Sequence, residues 1–113
     1  MELSRAVAAL GALAQESRLK VFRLLVRSGP GGMAAGDIAR ALAVAHNTMS
    51  SHLATLSRAR LVTSRKDGRS VIYAVDLEGT RDLVSYLVED CCRGKPDICA
   101  PLIESTLAEC CPK

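Results

Sequence analysis

The sequence predicts a mainly α domain with a β-hairpin wing, a winged helix-turn-helix, and three observations lead there. Apolar residues recur at helical spacing through residues 3–59. A short helix, a tight connection and a longer helix follow one another between residues 37 and 59. Two β-favouring runs, Leu61–Lys66 and Ser70–Val75, then flank an Asp67-Gly68 hairpin signal. Two Tyr, one Phe and no Trp leave Leu, Val, Ile and Ala to build the core, and Ala and Leu favour helix.

The first helix carries Leu3, Val7, Leu10 and Ala14 as an apolar stripe. Arg5, the apolar run to Ala14 and the Ala12-Leu13-Ala14 triplet mimic a short signal peptide. Gln15-Glu16-Ser17-Arg18 follows without a break, so an amphipathic helix is the better reading. The second helix begins near Ser17, with Leu19, Phe22, Leu25 and Val26 as its stripe, and Ser28-Gly29-Pro30-Gly31-Gly32 stops it. Asp37–Leu42 forms a short helix with Ile38, Ala39 and Leu42 inward. Ala43-Val44-Ala45 leads into a helix from about residue 46 to 59. Such a pair has the size of a helix-turn-helix.

In that longer helix Met49, Leu53 and Leu56 must face the core. The opposite face is Asn47, Ser51, Ala54 and Arg58, flanked by Thr48 and Ser50. These residues are small or hydrogen-bonding, and such a face can lie in a major groove; a face that meets only water is the plainer alternative. The hairpin favours the groove. Its tip carries Arg65, Lys66 and Arg69, placed to clamp phosphates on either side. Residues 1–75 hold 11 Lys+Arg against 4 Asp+Glu, a balance of +7, whereas residues 76–113 hold 4 against 8, a balance of −4. A basic body suits a polyanion.

No apolar run approaches the roughly 20 residues that span a bilayer. All five cysteines lie in the last third, as Cys91-Cys92, Cys99 and Cys110-Cys111. An odd count cannot pair fully within one chain, and a reducing cytoplasm fits it better than secretion. Leu83, Val84, Leu87 and Val88 continue an apolar stripe to Asp90 along a last helix, which puts Cys91 and Cys92 in its last turn.

The stretch Ala45–Val62 (AHNTMSSHLATLSRARLV), then Arg65-Lys66-Asp67-Gly68-Arg69 and Tyr73, with Glu16–Leu25 (ESRLKVFRLL) before them, resembles the ArsR/SmtB family of winged-helix metal- and metalloid-responsive repressors. The resemblance covers residues 3–90. It implies a homodimer through the first and last helices that represses from double-stranded operator DNA until an inducer binds. The candidate DNA contacts are His46, Asn47, Thr48, Ser50, Ser51, Arg58, Arg65, Lys66 and Arg69. Residues 1–93 would then form the DNA-binding and dimerisation domain, and residues 94–113 a cysteine-containing tail. Three positions depart from the family pattern. Ala45 stands where a Ser or Thr cap is common, so Asn47 or His46 must cap that helix. Ser57 and Arg60 replace a usual basic residue and a usual Gly. His52 is placed at the helix junction rather than on a ligand.

The family places inducer sites at different points of one scaffold. One uses cysteines on the helix before the recognition helix, and Met33–Leu42 has none. Another uses Asp and His pairs on the last helix, where Thr80–Glu89 offers Asp82 and Glu89 but no His. The Cys91-Cys92 pair with Cys99 resembles the arsenic-responsive members. Adjacent helical residues point about 100° apart, so Cys91 and Cys92 converge only where the helix ends. Gly94 and Pro96 should end it there, which frees Cys99 to approach. Three thiolates around pyramidal As(III) or Sb(III) follow from the preference of soft ligands for soft ions. Arg93 and Lys95 favour the thiolate form, while Glu89 and Asp90 oppose it. Structural zinc prefers Cys-x-x-Cys spacing, which is absent. Cys110 and Cys111, after a short helix opened by Pro101, stay outside the core site.

Alternatives remain open at this point. The same cysteines suit a thiol-redox or a Cd(II)/Pb(II) sensor, or act as small buried hydrophobes. A metalloid buffer with an idle helix-turn-helix is another. A small thiol reductase would need an acid beside an activated cysteine, and no strand-helix redox motif provides one; the chain reads as no enzyme and needs no organic cofactor.

Overall fold

A computed structural model of the chain describes residues 1–88. Its elements run α1 (Leu3–Leu13), α2 (Glu16–Ser28), β1 (Met33–Ala34), α3 (Ala35–Leu42), α4 (His46–Arg58), β2 (Val62–Asp67), β3 (Ser70–Val75) and α5 (Leu77–Val88). Met1–Leu83 form one compact unit, and a second unit begins at Val84. This is the expected helix-turn-helix, α3 and α4, followed by the expected wing, β2 and β3. Among the described residues no helix is long and apolar enough to cross a membrane.

The apolar faces of the first two helices are partly uncovered. The large apolar stripe of α1 points outward: Leu3, Val7 and Leu10 are 66%, 58% and 42% exposed, while Ala6, Ala9 and Ala12 are buried. Small residues let α1 approach its neighbours closely, which leaves its large side chains uncovered by its own chain. In α2 the buried pair is Val21 and Leu25, and Leu19 and Val26 are exposed. Arg18 locks the junction between these helices. Its backbone N–H donates to Gln15 Oε1 at 2.8 Å, and its Nε donates to the Ala12 carbonyl at 2.7 Å, satisfying a carbonyl that the end of α1 leaves without a helical partner.

The core follows the expected pattern through the helix-turn-helix. Ile38 and Ala39 of α3 meet Met49, Leu53 and Leu56 of α4, all buried, with Leu61, Val62, Ala74 and Leu83 closing over them. Each fully buried large side chain is worth about 1.5–3 kcal/mol. The wing is larger than the predicted two-stranded ribbon. β1 adds an antiparallel edge, giving the order β1-β3-β2 with Met33 opposite Tyr73 and Ala34 opposite Ile72. The hairpin turn also shifts by one residue. Asp67 pairs with Ser70, so the two-residue loop is Gly68-Arg69, with Gly68 at φ 64°. Glycine first with positive φ is the pattern of a II′ turn.

Both helices of the motif end alike. The Val44 N–H reaches the Ala39 carbonyl at 3.0 Å, and the Leu61 N–H reaches the Leu56 carbonyl at 3.0 Å. These are Schellman closures, which put one residue in the left-handed region. Here those residues are Ala43 at φ 54° and Arg60 at φ 61°. The usual Gly that Arg60 replaces is thus explained by backbone geometry. A Cβ in this region costs about 1–2 kcal/mol, partly offset by the extra freedom that Gly gives the unfolded chain. Ala43→Gly should therefore raise stability by roughly 0.5–1 kcal/mol, read as a higher midpoint in urea. An unchanged or lower midpoint would show that this strain is not stored at the turn.

Candidate nucleic-acid interface

The outer face of α4 carries the predicted contacts. His46, Asn47, Thr48, Ser50, Ser51 and Arg58 are all exposed, and Ala54 lies among them without blocking the face. The helix starts at Ala45, whose side chain supplies no cap. Asn47 takes over part of that role, its Oδ1 accepting the Thr48 N–H at 3.0 Å. The side-chain amide nitrogen of Asn47 stays available to a base edge. Farther along, Thr55 Oγ1 donates to the Ser51 carbonyl at 3.1 Å, and Arg58 Nη2 donates to Thr55 Oγ1 at 3.4 Å. That contact steers the guanidinium along the face. His52 is half-buried beside Leu53, in keeping with a junction role.

The three wing cations are placed differently from one another. Arg69 occupies the turn itself and Lys66 sits one pair from the tip, both exposed. Among the described residues neither is paired with a carboxylate. Arg65 lies farther back, opposite Ile72, and its Nη2 donates to the Gly31 carbonyl at 2.9 Å. It braces the hairpin against the loop after α2.

The start of α5 is seated on the end of α4. Asp76 caps α5 by accepting the Gly79 N–H on Oδ1 at 2.9 Å, and its own N–H donates to the Leu61 carbonyl at 3.0 Å. The Gly79 backbone then presses on Arg60: a Cβ at residue 79 would stand 1.9 Å from the Arg60 carbonyl oxygen. Arg60 Nη1 also lies 3.9 Å from Asp82 Oδ2. Sequence reasoning missed this joint, because no local pattern marks a glycine that packs against a distant carbonyl.

Among the described residues no group of three or more His, Cys, Asp or Glu side chains is placed to hold a metal ion. The predicted ligands Cys91, Cys92 and Cys99 lie outside the described residues, as do Cys110 and Cys111.

Similar proteins match this arrangement. A family model described as a helix-turn-helix domain matches residues 13–65. The transcriptional activator HlyU of Vibrio cholerae is 29% identical over 84 residues, covering 74% of this chain and 75% of that protein. A homodimeric winged helix-turn-helix DNA-binding domain from Mycobacterium bovis, described as a possible ArsR-family regulator, is 27% identical. Its TM-score is 0.63, over 78% of this chain and 82% of that one. A solved possible transcriptional regulator for arsenical resistance is 30% identical with a TM-score of 0.62, over 70% of this chain and 79% of the other. With a helix-turn-helix, a wing and a polar outer face on α4 in the expected order, the chain belongs to the winged helix-turn-helix DNA-binding transcriptional regulators of the ArsR/HlyU type.

Proposed function

We propose that the protein is a homodimeric repressor that leaves double-stranded operator DNA when Cys91, Cys92 and Cys99 bind As(III), with Sb(III) as a second soft ion. One observation carries this reading: every thiol in the chain falls after residue 90, and the first vicinal pair follows α5 by only a few residues. A relative described as a possible regulator for arsenical resistance supports it. Repression is part of the proposal, since HlyU is described as an activator. The dimer face assigned to α1 is its uncovered stripe, Leu3, Val7 and Leu10. The recognition face is assigned to His46, Asn47, Thr48, Ser50, Ser51 and Arg58, with Arg65, Lys66 and Arg69 on the wing.

The seat of α5 supports a coupling route. A dimer must hold two recognition helices about 34–36 Å apart to match successive major grooves. α5 rests on the end of α4 through Gly79, Asp76 and Arg60, and in this proposal a change at the cysteines would act on the recognition helix through that seat. Arsenite, As(OH)3, exchanges three hydroxyls for three thiolate sulfurs and releases three waters, drawing Cys99 toward the Cys91-Cys92 pair. Couplings of about 1–3 kcal/mol are usual, and about 5.5 kcal/mol is needed for a near-complete switch.

Mass spectrometry of the reduced protein with arsenite tests the chemistry. One arsenic per chain with loss of three thiol protons is expected, retained in Cys110→Ser/Cys111→Ser and lost in Cys91→Ser. No bound arsenic, with peroxide instead removing two thiol protons, would replace metalloid sensing by disulfide sensing.

A further inference from the structure

A notch of about 250 Å³ opens between α4 and the wing, lined by Ala34, Ala35, Gly36, His46, Arg69, Ser70 and Val71. Three separate elements bring polar residues to its lining: His46, the first residue of α4, Arg69 in the wing turn, and Ser70, the first residue of β3. All three residues are exposed. Its lining includes no carboxylate. Asp37, the next residue along α3, is exposed and paired with Arg40. Ala35 opens α3, whose flanking residue Ala34 supplies no side-chain cap, so the N–H groups of that first turn add further donors. The notch thus presents donors and positive charge in a recess that nothing acidic fills.

Its position selects the ligand. The notch lies between the start of α4 and the wing, where a strand bordering the major groove would run with α4 in that groove. Backbone phosphates are the anions that strand carries, and contacts to them fix register without reading sequence. We propose that the notch seats one backbone phosphate of the bound duplex, held jointly by His46, Arg69 and Ser70. Recognition helix and wing are then tied to the same point on one strand. This rests on the duplex-DNA reading above and deepens it: His46 and Arg69 act as one clamp, and Ser70, which the sequence reading did not select, joins them.

Joint action on a single phosphate can be measured. Duplex DNA from upstream of the protein's own gene is prepared with one phosphate at a time replaced by neutral methylphosphonate. Binding is read by fluorescence anisotropy for wild type, His46→Ala, Arg69→Ala and Ser70→Ala. Each variant should lose affinity, by about tenfold for Arg69→Ala. That variant should also flatten the salt dependence, the slope of log K against log salt falling by about 0.9. At one phosphate per half-site, and the same one for all three residues, neutralisation should weaken the wild type and weaken each variant by less, least of all Arg69→Ala. If His46 and Arg69 couple to different phosphates, or to none, the notch is not a phosphate seat, although the protein binds DNA. If the wild type binds no duplex at all, the DNA reading fails and the notch with it.

Discussion

Gly79→Ala should destabilise the protein by about 3 kcal/mol, the upper range for forcing atoms into a packed interior. The added methyl would stand 1.9 Å from the Arg60 carbonyl oxygen and 3.0 Å from Arg60 Cβ. Backbone lies on both sides of that contact, so no flexible side chain can swing away. Relief requires α5 to lift from the end of α4, which breaks the Asp76 to Leu61 hydrogen bond and uncovers Leu83. For a domain of this size the loss lowers the thermal midpoint by on the order of 15 °C. Thermal unfolding followed by circular dichroism checks it. A drop of only a degree or two would mean that α5 is not seated on Arg60. Arg60→Gly, by contrast, should stabilise slightly, because it removes a left-handed non-glycine residue. The Arg60–Asp82 contact it gives up is long and partly exposed, and such pairs are worth little.

The second large effect concerns the switch. Arsenite should weaken the operator complex of the reduced wild type by roughly 10–100-fold, the span of an ordinary allosteric coupling. Cys91→Ser, Cys92→Ser and Cys99→Ser should bind DNA as the wild type does, because none lies on α4 or the wing, and should lose the response. Serine keeps the size of the side chain while removing the soft sulfur, so a selective loss points to coordination rather than packing. Cys110→Ser and Cys111→Ser should respond normally. A variant that loses DNA binding along with the response would move that cysteine into the structural framework.

Particular residues show which features the sequence carried legibly. The recognition helix was legible because Met49, Leu53 and Leu56 repeat at a helical period, and the sequence writes that period directly. The hairpin was legible from Asp67-Gly68, although the strands pair so that the corner falls one residue later. The faces of α1 and α2 were not legible. Leu3, Val7 and Leu10 announce an amphipathic helix, but spacing cannot say whether the stripe meets its own chain or another surface. The buried Ala6, Ala9 and Ala12 give almost no hydrophobic signal. β1 has two residues and exists only by pairing with Ile72 and Tyr73 far along the chain. The polar outer face of α4 emerged from sequence for the same reason as its helix. The notch did not, because Ala34, Gly36, His46 and Ser70 converge only after β1 has docked on β3. Arg60 falls between these cases: its place against a usual Gly was visible at once, and its left-handed φ gives the physical meaning.

The measurement that bears most directly on the central claim is fluorescence anisotropy of the reduced protein on its own upstream duplex, titrated with arsenite beside Cys91→Ser. Release of the wild type near one equivalent per chain, with Cys91→Ser still bound, is the predicted result. Tight binding that arsenite leaves untouched in both proteins would contradict metalloid control, while leaving the winged-helix DNA-binding regulator in place.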